Sequence, residues 1–150
     1  MELGAIYSKE KTTFTLFSPV ADSVFVVFYD KGNNSDETGR LEMTRGEGEL
    51  CNIFSATAEG NLDGVYYTYE VHTADGTFSS HDPYARACGV NGHRSMVIDL
   101  AKTDPDGFAN EDRPKLADPM SMVITEVSIA DVSAGASAHS LYPGKFKAFT

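Results

Sequence analysis

The sequence predicts an all-β chain folded as an antiparallel β-sandwich, and three observations predict it. Short runs rich in β-branched and aromatic residues recur through the first 100 positions, separated by turn residues. Residues 65–72 alternate strictly, with Val65, Tyr67, Tyr69 and Val71 on one face and Tyr66, Thr68, Glu70 and His72 on the other. No window before residue 100 carries a sustained helical apolar stripe, which argues against βαβ units.

The elements follow in order. Residues 4–8 open the sheet, and Lys9-Glu10-Lys11 turns the chain. Residues 12–17 form a strand with Phe14 and Leu16 on one face, stopped at Ser18-Pro19 because proline has no N–H for a ladder. Residues 24–29 (Val-Phe-Val-Val-Phe-Tyr) are apolar on both faces, as in a strand covered on both sides. Asp30 to Gly39 reads as a loop, 41–44 as a short edge strand and 50–56 as a further strand. After 65–72, Asp75-Gly76 is a two-residue hairpin turn that pairs 77–80 against 69–72, and 95–99 is a last strand.

The character changes after Leu100. Residues 101–120 hold Pro105, Pro114 and Pro119, several aspartates and few apolar groups, and read as a linker or surface strap. Residues 122–129 (Met-Val-Ile-Thr-Glu-Val-Ser-Ile) read as an orphan strand, followed by a small and polar stretch from Ala130 to Ser140. The expected organisation is therefore a sandwich at 1–100, a linker at 101–120 and a separate piece at 121–150.

Twelve basic residues against 22 acidic ones give a formal charge of −10, a field that repels phosphate backbones and anionic membranes. Nucleic acid and membrane are thus excluded as expected partners. There is no basic-then-apolar leader and no apolar stretch near the ~20 residues that span a bilayer, so the cytoplasm is the favoured compartment. Cys51 and Cys88 lie in or near apolar segments and read as small buried hydrophobes rather than a bridge.

Chemistry-bearing patterns are sparse. Glycoside hydrolysis needs two carboxyl groups about 5–9 Å apart. Glu126 and Asp131 are the first pair to consider, but their odd spacing puts them on opposite faces of a regular strand. They read as a solvated glutamate and a turn aspartate. Asp82-Pro83-Tyr84 reads as a structural corner, with the aspartate bonded to nearby backbone and the tyrosine covering the sandwich end. His72, His81, His93 and His139 have no metal-type spacing, and no nucleophile elbow or phosphate loop is present. No catalytic residue, metal or cofactor is expected. Sugars stack their apolar C–H face on aromatic rings, which makes the predicted outward Tyr66 the leading carbohydrate-binding candidate, followed by Tyr29 and Tyr84.

Three motifs carry a family resemblance. They are Leu3-Gly4-Ala5-Ile6-Tyr7 with Phe14 to Pro19, then Leu62-Asp63-Gly64-Val65-Tyr66-Tyr67-Thr68-Tyr69-Glu70-Val71, then Asp82-Pro83-Tyr84-Ala85-Arg86-Ala87 with Gly89 to Leu100. In this order and spacing they resemble the N-terminal region of type I pullulanases, starch-debranching members of the α-amylase superfamily. Phe17 stands where that family often has Trp. Thr125, Ser128, Ala130 and Val132 depart from its pattern, while Glu126 and Asp131 keep it.

The resemblance implies an immunoglobulin-like sandwich followed by a (β/α)8 barrel that hydrolyses α-1,6 glucan branches. It also implies that residues 122–129 begin that barrel and that the catalytic acids have no counterpart here. The expected role is a non-catalytic module beside a catalytic barrel. The alternatives are a stand-alone α-glucan-binding module and a structural or protein-binding sandwich.

Overall fold

A computed structural model describes residues 2–112 and 115–149. Pro114, assigned above to the linker, lies outside the described residues. Residues up to Ala109 form one compact unit and Asn110 onward a second.

The first unit is a sandwich of antiparallel strands. β1 (Gly4–Tyr7), β2 (Lys11–Phe17), β3 (Ser23–Tyr29), β4 (Glu37–Arg45), β5 (Ile53–Glu59), β6 (Tyr66–Thr73) and β7 (Gly76–Ser80) are followed by two short strands, β8 (Ala87–Cys88) and β9 (Ser95–Met96). The spatial order is β1-β2-β5-β4-β3-β6-β9-β8, with β7 also paired to β6. β4 joins the two layers, because its body pairs with β3 through Val24↔Met43 while Thr44 and Arg45 pair with β5.

The core is what the alternation requires. Tyr67 and Tyr69 of β6 are buried with Phe14, Leu16, Val24, Val26, Met43, Phe54 and Val97. Phe14 meets Tyr67 edge-on with ring centroids 5.0 Å apart, the favoured geometry for two ring quadrupoles. On the opposite face of β3 and β6, Val27 and Thr68 are also buried, so β3 is covered on both sides as its composition predicts.

Several expectations need correction. Residues 41–44 are not an edge. They belong to the nine-residue β4, which lies between β3 and β5 and shortens the predicted loop. The last strand covers only Ser95–Met96 of the expected 95–99. The hairpin turn falls at Ala74–Asp75, one residue early, with Thr73 opposite Gly76. Thr73 fixes it, its hydroxyl accepting from Asp75 N at 3.2 Å and donating to the Gly76 carbonyl at 3.2 Å.

β5 starts at Ile53 rather than at residue 50, which leaves Cys51 just after a 3-10 turn. Cys88 sits on the short edge strand β8. Both thiols are free and exposed, not buried.

In the second unit, residues 122–128 take no strand partner among the described residues, and α1 (Ile129–Ala134) begins where the strand should end. A strand exists only through its ladder. Here Ser128 instead caps a helix, accepting from Asp131 N, and small residues follow. Val123 and Ile124 are left 96% and 83% exposed.

The internal hydrogen bonds of the β6 tyrosines give a stability test. Asp82→Ala would leave two buried phenols without their acceptor, at about 1–3 kcal/mol each. The expected outcome in urea unfolding is a loss of about 2–5 kcal/mol. Tyr69→Phe, which leaves Asp82 its other partners, should cost about 1 kcal/mol.

Candidate functional site

The Asp82-Pro83-Tyr84 corner is built by β6. Inward-facing Tyr67 and Tyr69 aim both phenols at one carboxylate, and Asp82 Oδ2 accepts from them at 2.7 and 3.3 Å. Asp82 Oδ1 accepts from Tyr84 N at 2.8 Å, and Asp82 N donates to Ser95 Oγ at 2.8 Å. Burial, and then the neighbouring carboxylate, push both tyrosines well above the ordinary phenol range, so they remain donors. The corner also presses on β1. A Cβ at Gly4, whose φ is +92°, would lie 2.8 Å from Tyr84 Cβ, so only glycine fits there.

The three tyrosines nominated from the sequence have different surroundings. Tyr29 and Tyr66 sit opposite one another on neighbouring strands. The Arg94 guanidinium lies 3.5 Å from the Tyr29 ring centroid and covers that face. The same Arg94 donates to the Lys31 carbonyl at 2.8 Å, to Ser35 Oγ at 2.8 Å and to the Ser35 carbonyl at 2.9 Å, which ties the 31–35 loop to the sheet. Tyr66 is half-buried beneath that loop, where Gly32 and Gly89 approach so closely that a Cβ on Gly32 would meet Gly89 Cα at 2.9 Å and a Tyr66 ring atom at 3.1 Å. Tyr84 is 46% exposed and stands apart at the corner.

Phe78, on β7, is 55% exposed and was not nominated from the sequence. Its exposure follows from β7 pairing with β6 alone among the described residues.

Next to the tyrosines, the outer face of the sheet is a charged network. Arg40 bridges Glu37 at 2.7 Å and Glu70 at 3.2 Å, and His72 Nε2 lies 2.9 Å from Glu70. Glu126 and Asp131 are both exposed, Asp131 in the first turn of α1. No group of three or more His, Cys, Asp or Glu among the described residues is placed to hold a metal ion. No helix among the described residues is long and apolar enough to cross a membrane.

The chain just beyond β9 is strapped to the sandwich by Asp63. Its Oδ1 accepts from Asp99 N at 2.8 Å and its Oδ2 pairs with Lys102 Nζ at 2.6 Å. The hydrogen bond from Lys102, then that from Asp99 N, hold the Asp63 carboxyl below its ordinary value. Tyr7, at the end of β1, donates to Asn61 Oδ1 at 2.8 Å. Burial, then the Asp99 and Asp63 carboxylates, raise its phenol above the usual range.

Comparison with known proteins gives this architecture a family. The model for carbohydrate-binding module 48, the isoamylase N-terminal domain, matches residues 2–85, more than half of the chain. The chain belongs to the carbohydrate-binding module 48 family.

Over 150 aligned residues this module-48 chain is 29% identical to a pullulanase of Bacillus subtilis (strain 168), covering 99% of itself and 19% of the relative. It superposes on the pullulanase of Bacillus acidopullulyticus with a TM-score of 0.85 at 35% identity, covering 99% of this chain and 18% of that one. A pullulanase of Paenibacillus barengoltzii, solved in complex with maltohexaose and alpha-cyclodextrin, gives a TM-score of 0.84 at 34% identity over 98% of this chain and 22% of that one. The chain thus spans about a fifth of the length of these relatives.

The Asp63 strap has a defined pH response. Its folded carboxyl value lies below the unfolded one, so its contribution is complete above the unfolded value, about 4, and disappears as pH falls through the lower folded value. The expected result is an Asp99 amide whose protection, relative to its intrinsic exchange rate, is high at neutral pH and falls away below about pH 4, while in Asp63→Ala it is low at every pH. Amide exchange followed by NMR checks this.

Proposed function

We propose that this chain is the non-catalytic N-terminal module of an α-1,6-glucan debranching hydrolase, with a catalytic barrel as its neighbour. The observation that carries the reading is the whole-chain superposition on pullulanases, in which the matched portion is only 18–22% of the enzyme. The second unit supports it. Met120, Val123, Ile124, Leu141 and Phe146 are each more than four-fifths exposed. An exposed apolar set of this kind marks a surface that another body covers, and a barrel that takes up residues 122–129 would cover it. Two exposed free thiols fit a reducing compartment such as the cytoplasm.

The ligand class of the module in this reading is α-glucan. Relatives solved with maltohexaose, maltotriose and maltotetraose support that class. Among the three tyrosines, Tyr84 is the stacking residue we favour, because its ring is the most exposed. Tyr66 then supports the 31–35 loop, and Tyr29 serves as the platform for Arg94.

Two measurements test the proposal. On pullulan the purified chain should release no reducing ends, because two carboxyl groups about 5–9 Å apart across the bond are required. In affinity electrophoresis through a glycogen-containing gel it should be retarded, and Tyr84→Ala should weaken that retardation about tenfold. Turnover on pullulan would sink the non-catalytic assignment. Unchanged mobility would favour a structural or protein-binding sandwich.

A further inference from the structure

β1 is an edge strand, paired only with β2 among the described residues. Between it and the chain at 96–101 the sandwich does not close, and a groove of ≈ 350 Å³ opens along the seam. Buried Tyr67 and Val97 are among its lining residues, and Ile6 and Tyr7 lie on one side with Met96, Ile98 and Leu100 on the other. Its ends are polar. At the start of β1, Glu2 pairs with Arg86 at 2.8 Å. Toward Tyr7 stands Asp99, whose Oδ1 accepts from Ala101 N. Tyr84, which packs against Gly4, adjoins the Arg86 end.

We propose that this groove is an α-glucan subsite that takes a short maltooligosaccharide stretch, continuing from Tyr84 along β1. The inference rests on the α-glucan reading above and gives it a location. Its volume is at the small end of ligand pockets, about 300–1,000 Å³, which suits a few sugar rings.

The lining matches the two-sided chemistry of a sugar. The apolar side chains and the Tyr7 ring meet the C–H face. Glu2 and Asp99 accept from hydroxyls, and Arg86 donates to them. The two carboxylates face two cations, Arg86 beside Glu2 at 2.8 Å and Lys102 4.0 Å from Asp99, so the groove is close to neutral and suits a neutral polyol. An extended peptide adding to β1 fits less well, because only about two of its four residues turn their backbone groups outward, too short a ladder to hold a strand.

The groove can be tested without disturbing the core. Ala101 is exposed and lines it, so Ala101→Trp fills the space from outside. Arg86→Ala removes a rim donor from an exposed position. Titration of the full chain with maltotetraose, followed by amide NMR shifts and calorimetry, should move residues 5–7 and 96–101. Both variants should weaken binding about tenfold while melting within a few degrees of the parent.

Shifts clustered elsewhere, with both variants binding normally, would overturn the groove and leave the α-glucan reading standing. No binding by the parent at about 10 mM sugar would overturn both. Shifts in the groove with an extended apolar peptide but not with maltotetraose would overturn it in favour of strand addition.

Discussion

A single buried carboxylate organises the seam end of this sandwich. Asp82 accepts from both inward tyrosines of β6 and from the backbone N–H of Tyr84, while its own N–H is held by Ser95. An aspartate side chain in an apolar core is costly unless its acceptors are satisfied. Here four hydrogen bonds to one residue fix β6, the corner and β9 relative to each other. That arrangement places Tyr84 against Gly4 and so sets where β1 can run. The course of the groove along β1 and the position of the Tyr84 ring follow from this placement.

The parts of the fold that the sequence revealed are those governed by local rules. Alternation in 65–72 identified Tyr67 and Tyr69 as core, because a strand shows its burial at period two. Asp-Pro-Tyr was legible as a corner because proline restricts φ and aspartate bonds to nearby backbone. Less visible were features made by distant partners. Arg94 reaches Tyr29 and Ser35 across some sixty positions of chain, and nothing near Tyr29 announces that its ring is already covered. Residues 122–129 misled for the same reason. Their β-branched composition signals a preference for a sheet, but a sheet requires a neighbour, and Ser128 offers a helix cap instead.

The candidate site was legible in kind more than in place. Aromatic side chains at strand positions pointed to tyrosines, yet exposure separates Tyr84 from Tyr66 and Tyr29 only once the 31–35 loop is folded over the sheet. The seam between β1 and residues 96–101 joins chain segments about ninety positions apart. No spacing rule links them, and their juxtaposition follows from the strand order alone.

β4 gives the body its mechanical character. Since one continuous strand is hydrogen-bonded to β3 along most of its length and to β5 at its end, the two layers share a covalent member. They cannot slide past each other as independent plates. A pull on one layer is passed directly to the other, so a force applied to either face moves the body as a rigid handle rather than prising it open.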